Sequence, residues 1–150
     1  MGSDAIIYGM IQGCGVGSRL GDRKRFYRHN RSVLADLPTT DAYPPLVRDM
    51  FAVTFGPMLT WKVHAIHFGW ATKNFAEDWP EWEAKFHALL RRLVWFSATV
   101  HVDCEYDGKL TAEYVILPES IEQWQQDPIQ LGNAWAASYN GWIAGWDPPS

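Results

Sequence analysis

Between Phe96 and Ile116 the chain alternates apolar and polar side chains in two runs separated by Asp107-Gly108, and no other feature restricts the fold as much. Phe96, Ala98, Val100, Val102 and Cys104 interleave with Ser97, Thr99, His101, Asp103 and Glu105, and Leu110, Ala112, Tyr114 and Ile116 resume the apolar phase. Successive strand residues point to opposite faces, so the pattern predicts an antiparallel hairpin with one buried and one wet face. A two-residue turn at Asp107-Gly108 would place Tyr106 opposite Lys109 and mix the faces. A three-residue loop, Tyr106-Asp107-Gly108 with Gly108 left-handed, keeps them apart. It pairs Glu105 with Lys109, Val102 with Ala112, Val100 with Tyr114 and His101 with Glu113, and hydrophobic matching predicts that register.

The remaining elements follow from the same kind of reading. Ala5–Ile11 is a continuous apolar run, as a strand covered on both faces would be, and Gly13-Cys14-Gly15-Val16-Gly17 bends the chain after it. From about Asp22 to Leu37, Phe26, Val33, Leu34 and Leu37 recur at helical spacing until Pro38 stops them. Phe51, Val53 and Phe55 alternate as a strand; Gly56-Pro57 turns; Trp61, Val63 and Ala65 resume, and the apolar phase then shifts to Ile66, Phe68 and Trp70. Asp78-Trp79-Pro80-Glu81 opens the clearest helix, with Asp78 as cap and Trp79, Trp82, Phe86, Leu89, Leu90 and Leu93 as its apolar stripe. Glu83, Lys85, Arg91 and Arg92 are expected to face water. Ser120 and Gln123 form a capping box for a short helix ended by Pro128. Beyond it Trp135, Tyr139, Trp142 and Trp146 stand at helical spacing, weakened by Asn140-Gly141 and Gly145. The expected fold is α+β, a single domain with an antiparallel sheet and two main helices. Residues 1–117 form its core, and 118–150 a C-terminal helix and aromatic tail.

Composition excludes several classes. The 150 residues are 47% hydrophobic, enough for one core, and no apolar run approaches the roughly 18 residues of a membrane helix. The Met1-Gly2-Ser3-Asp4 start lacks a secretory pattern, and Ile6 stands where a myristoylation motif wants Ser or Thr, so a cytoplasmic location is expected. Cys14 and Cys104 make neither a disulfide framework nor a zinc-binding pair. Charge is segregated: residues 101–150 carry eight Asp/Glu against Lys109 alone, whereas Arg19, Arg23, Lys24, Arg25, Arg28 and Arg31 form a basic stretch. The acidic third either neutralises that stretch or attracts a basic partner.

Chemistry-bearing motifs are few. Gly13, Gly15 and Gly17 imitate a dinucleotide loop, but Ser18 occupies the third glycine position of GxGxxG and no strand–helix alternation supports it. His64 and His67 point to opposite faces of one strand, so no metal site is expected, and neither is any cofactor. His101, beside Asp103 and opposite Glu113 in the expected register, is the best acid–base constellation, and an open polar strand face is the plainer account of the same residues. Phe26 and Tyr27 among the bases hint at nucleic acid, against which the overall acidity counts, so direct nucleic-acid binding is not expected. Trp135, Tyr139, Trp142 and Trp146 are either a lid on the sheet or a platform for sugars or proteins.

Several segments stand in a distinctive order. They are Phe26-Tyr27-Arg28-His29-Asn30-Arg31-Ser32-Val33-Leu34, Leu37-Pro38, Pro44-Pro45-Leu46-Val47-Arg48-Asp49-Met50-Phe51, His67-Phe68-Gly69, Trp79–Phe86 and Leu93-Val94-Trp95. Together, over residues 5–117, they resemble small cytosolic immunity proteins encoded beside secreted bacterial toxins, such as type VI secretion effectors. The resemblance implies a non-enzymatic inhibitor that binds one cognate toxin domain and blocks its active site or a required motion; the acidic surface predicts a basic toxin, and the missing secretory pattern a cytosol-acting one. The expected contact surface is His101, Asp103, Glu105, Asp107 and Glu113. Two other functions remain: a small-ligand or carbohydrate-binding domain using the Trp135–Trp146 aromatics, and a small acid–base enzyme using His101 and Glu113.

Overall fold

The computed structural model describes residues 4–13, 20–54, 65–117 and 135–142. In chain order they form β1 (Asp4–Gln12), α1 (Leu20–Ala35), β2 (Phe51–Thr54), β3 (Ala65–Lys73), α2 (Trp79–Leu90), β4 (Ser97–Cys104), β5 (Gly108–Ile116) and β6 (Trp135–Gly141). The six strands make one antiparallel sheet in the order β2-β3-β1-β4-β5-β6. The α+β architecture with two helices is the expected one. No helix among the described residues is long and apolar enough to cross a membrane.

The core lies between the sheet and the two helices. Ile7, Ile11, Ile66, Phe68, Val100, Val102, Leu110, Ala112 and Tyr114 project from the sheet's inner face, and the α2 stripe of Trp79, Trp82, Phe86, Leu89 and Leu90 packs with them. Val33, Leu34 and Leu37 bring α1 into the same cluster. Buried Asn30 fastens that helix: its amide nitrogen donates to the Val94 carbonyl at 2.7 Å, and its oxygen accepts from Val94 N at 2.8 Å. Gly9, on the central strand, is a close-approach position. A Cβ there would lie 2.6 Å from the Phe68 ring and 2.0 Å from the Thr99 carbonyl oxygen, so the strand accepts no side chain.

Five expectations need correction. The β4–β5 hairpin is shifted by two residues: the loop is Glu105-Tyr106-Asp107, Gly108 pairs with Cys104 at φ 85°, and His101 faces Thr111, not Glu113. A shift of two leaves every side chain on its own face, so alternation cannot distinguish the registers. The observed one also sets Asp103 opposite Lys109. Asp78 makes no capping hydrogen bond, because a 3-10 turn over Ala76–Asp78 leads directly into α2. Glu83 is buried, 2% exposed, instead of facing water. β1 is covered on its inner face alone among the described residues, with Ile6 53% and Tyr8 44% exposed. The tail begins as a strand, not a helix, because Trp135–Gly141 pairs with Leu110–Ile116. The expected strand at Phe55 and Trp61–Val63, the Gly56-Pro57 turn, the bend through Cys14–Gly17, the Ser120–Pro128 helix and Trp146 lie outside the described residues.

Candidate functional site

The outer face of the sheet carries residues of opposite parity to the core, and no described helix lies over it. Its side chains stand in rows set by the strand register. One row runs Gly69–Tyr8–His101–Thr111–Asn140 across five strands. The next runs Ala52–His67–Met10–Thr99–Glu113–Ser138 across all six. Ala71–Ile6–Asp103–Lys109 and Ala65–Gln12–Ser97–Val115–Ala136 flank them. Ile6, Tyr8 and Val115, the last 45% exposed, place large apolar groups in water on a stiff surface. Scattered exposed apolar residues are ordinary, but three on one otherwise polar sheet face form a surface suited to contact.

Within this face His101 is held on two sides. Its ring stacks on Tyr8 with centroids 5.0 Å apart and an interplanar angle of 29°. Its Nδ1 lies 3.2 Å from Thr111 Oγ1. No carboxylate forms an ion pair with it among the described residues, which removes the expected His101–Glu113 couple. The acids divide into two sets. Asp4 stands 3.9 Å from Lys73 Nζ, Asp103 lies opposite Lys109, and Glu105 Oε2 accepts from Asp4 N at 3.1 Å. Asp107 is exposed in the hairpin loop. Glu113, by contrast, sits between Thr99 and Ser138 with no cation opposite it. It lines an open depression of about 330 Å³ with Thr111, Ser138, Tyr139 and Asn140. α1 packs on the inner side, where its C-terminal Asp36 meets Arg92 at 2.9 Å.

The inner side of β5 and β6 holds the other polar cluster. Glu83 Oε2 accepts the Tyr114 hydroxyl at 2.7 Å and the Tyr139 hydroxyl, and His87 Nε2 lies 3.5 Å from the same oxygen. Burial first, then the Glu83 charge, pushes the Tyr114 hydroxyl well above its ordinary range, which keeps it a donor. Trp135 packs edge-on against His87 and Trp95, with the Arg91 guanidinium 5.3 Å from its ring centroid. Trp135, Tyr139 and Trp142 are therefore partly buried against the core, in the position of a lid. Cys104 is buried, its thiol raised by desolvation and then by Asp107 and Asp103.

The structure brings His101, Asp103 and Glu113 onto one face, leaves Glu105 and Asp107 at its hairpin end, and turns the described tail aromatics inward. Sequence reasoning missed Tyr8, Ile6, Thr111, Ser138 and Asn140 on the outer face, and Glu83 inside. Tyr8 was hidden in an apolar run that looked doubly covered. Glu83 had a signal, since it follows Trp82 and precedes Phe86 by three on a helix whose stripe is wide. Among the described residues no three His, Cys, Asp or Glu side chains gather to hold a metal. No family model matches the chain, and no curated protein or solved structure matches it either.

Proposed function

We propose that this chain is a binding protein that neutralises a cognate toxin domain by covering it with the outer face of its sheet. The observation that carries the reading is the six-stranded surface, covered by no described helix, on which Ile6, Tyr8 and Val115 are exposed beside His101, Asp103 and Glu113. A pre-formed sheet loses little conformational entropy on docking, so apolar anchors ringed by polar groups yield affinity there. The carboxylates of Asp103 and Glu113, with Glu105 and Asp107 at the hairpin end, favour a basic toxin and speed its approach at low salt. The inhibitor role itself comes from the resemblance of residues 5–117 to cytosolic immunity proteins.

The test is co-expression with the product of the adjacent reading frame. The expected outcome is that a lethal product becomes tolerated and co-purifies with this chain in one-to-one ratio. Ile6→Arg combined with Val115→Arg abolishes both protection and co-purification while the circular dichroism spectrum is retained. Full protection by that folded double variant overturns the reading. A sugar-stacking site on Trp135, Tyr139 and Trp142 draws no support from where those rings lie, and an acid–base pair of His101 and Glu113 draws none from the register.

A further inference from the structure

The outer face is not uniformly acidic, and the difference is informative. Of its described acids, Asp4 and Asp103 have a lysine beside or opposite them. Glu113 has hydroxyls instead: Thr99 on one side and Ser138 on the other. Its carboxylate is exposed, and it lines the depression of about 330 Å³ together with Thr111, Ser138 and Asn140. The next row over, about 7 Å along the strand, presents the stacked Tyr8–His101 rings.

Resting on the docking role of this face, we infer that the Glu113 depression receives an arginine side chain of the partner protein. A guanidinium offers five N–H groups in a planar fork. Two match a carboxylate in parallel, and the others need neutral acceptors around it. Ser138 and Thr111 hydroxyl oxygens and the Asn140 amide oxygen supply acceptors beside the Glu113 carboxylate. A lysine ammonium is a compact point charge that uses fewer of these groups and keeps its hydration more firmly. Glu113 thus sets the chemistry of the anchor, while exposed Val115, two residues along the same strand, supplies adjacent apolar contact.

The experiment titrates the full, ¹⁵N-labelled chain with the peptides Gly-Arg-Gly and Gly-Lys-Gly and follows backbone amide signals. Saturable shifts at Thr111, Glu113, Ser138 and Asn140 are expected with the arginine peptide, at least about threefold tighter than with the lysine peptide. Glu113→Gln, at an exposed position, leaves the spectrum folded and removes the response. Glu81→Gln, on the exposed side of α2, leaves it unchanged. Equal response to both peptides, an undiminished response in Glu113→Gln, or none at the highest soluble peptide concentration overturns the inference. The docking role fails separately: it falls if the Ile6→Arg, Val115→Arg chain still protects. A toxin complex that forms normally with Glu113→Gln removes only the arginine anchor.

Discussion

The two faces of this sheet are built from the same strands, residue by residue, and treat polar groups in opposite ways. On the inner face a buried carboxylate, Glu83, accepts two tyrosine hydroxyls and lies near His87, and the indoles of Trp82 and Trp95 donate to the carbonyls of Pro45 at 3.0 Å and Leu90 at 2.8 Å. On the outer face Glu113 and the ring of Tyr8 are exposed to water, and the ring of His101 is half-buried beside Tyr8. A buried polar group that loses its partner costs a large part of the protein's marginal stability, so these inner contacts are committed to the fold. The outer face carries no such debt, which leaves its residues free to be chosen for something outside the chain. Substitutions should therefore separate sharply by face.

The largest expected effect lies at Trp82. Its ring is fully buried and meets Phe68, Trp70, Phe75, Trp79 and Phe86, with the Phe86 centroid 5.3 Å away and nearly parallel. Trp82→Ala opens a cavity at the centre of that cluster and should cost about 4 kcal/mol in urea unfolding. Gly9→Ala should follow, at about 2–3 kcal/mol, because the added methyl meets backbone at Thr99 as well as the Phe68 ring. A loss under about 0.5 kcal/mol at Gly9 would mean that the central strand yields, and that the inner face is less tightly determined than its packing implies.

The tyrosines on Glu83 sharpen the comparison further. Tyr114→Phe and Tyr139→Phe should each cost about 1–2 kcal/mol by thermal or denaturant unfolding. The two hydroxyls share one carboxylate oxygen, so the first deletion leaves a donor on it and the second removes that donor. The double variant should cost more than the sum of the singles, since a buried charge that loses both of these hydrogen bonds is far costlier than one that keeps one of them. Strict additivity would show that the cluster relaxes or admits water.

Much of the inner face could be read from the chain, and much of the outer could not. The Trp79–Leu90 stripe and the alternation through β4 and β5 name the buried residues directly, because periodicity reports which side a residue faces. Periodicity says nothing about which row it joins. A two-residue slip preserves every face, so alternation alone allows His101 opposite Glu113 where the structure places Thr111, and the expected acid–base pair depends on that slip. Tyr8 and Ile6 failed to stand out because apolar residues on both sides of a central strand look like a doubly covered one. Glu83 departs from expectation for the converse reason: a charged residue on a helix is ordinarily solvated, and the distant hydroxyls of Tyr114 and Tyr139 help to make its burial tolerable. The tail's spacings of four, three and four fit a helix as well as a strand's inward side at Trp135 and Tyr139.

A smaller effect, still on the inward side of the molecule, belongs to Lys85. Its ammonium donates to Asp41 Oδ2 at 2.8 Å and to the carbonyls of Ala42 and Pro44 at 3.0 and 2.8 Å, pinning the loop before β2 to α2. The Lys85 hydrogen bond, followed by that from Leu46 N, holds the Asp41 carboxyl below its ordinary value of 3.8. A carboxyl depressed by folding stabilises the native state at pH above its unfolded value, and that stability disappears as pH falls through the folded one. Asp41→Asn should cost about 1 kcal/mol at neutral pH. The difference from the parent should narrow as the pH is lowered below about 4. A difference independent of pH would show that the ionised form of Asp41 contributes nothing to stability through Lys85, Leu46 or Ala42.

The smallest expected stability change is also the most decisive for function. Tyr8→Ser removes an exposed ring whose only described ring partner is His101, and Val115→Thr exchanges one exposed β-branched side chain for another of similar shape. Neither opens a cavity nor strands a buried polar group, so each should move the unfolding midpoint by no more than about 0.5 kcal/mol equivalent. If the outer face is held for a partner, the same two changes should weaken protection against the toxin out of all proportion to that figure, because central aromatic anchors dominate docking energies. A chain destabilised by 2 kcal/mol or more through Tyr8→Ser would instead mark this side as structural, covered by something the fold itself supplies, and the contrast between the faces would collapse.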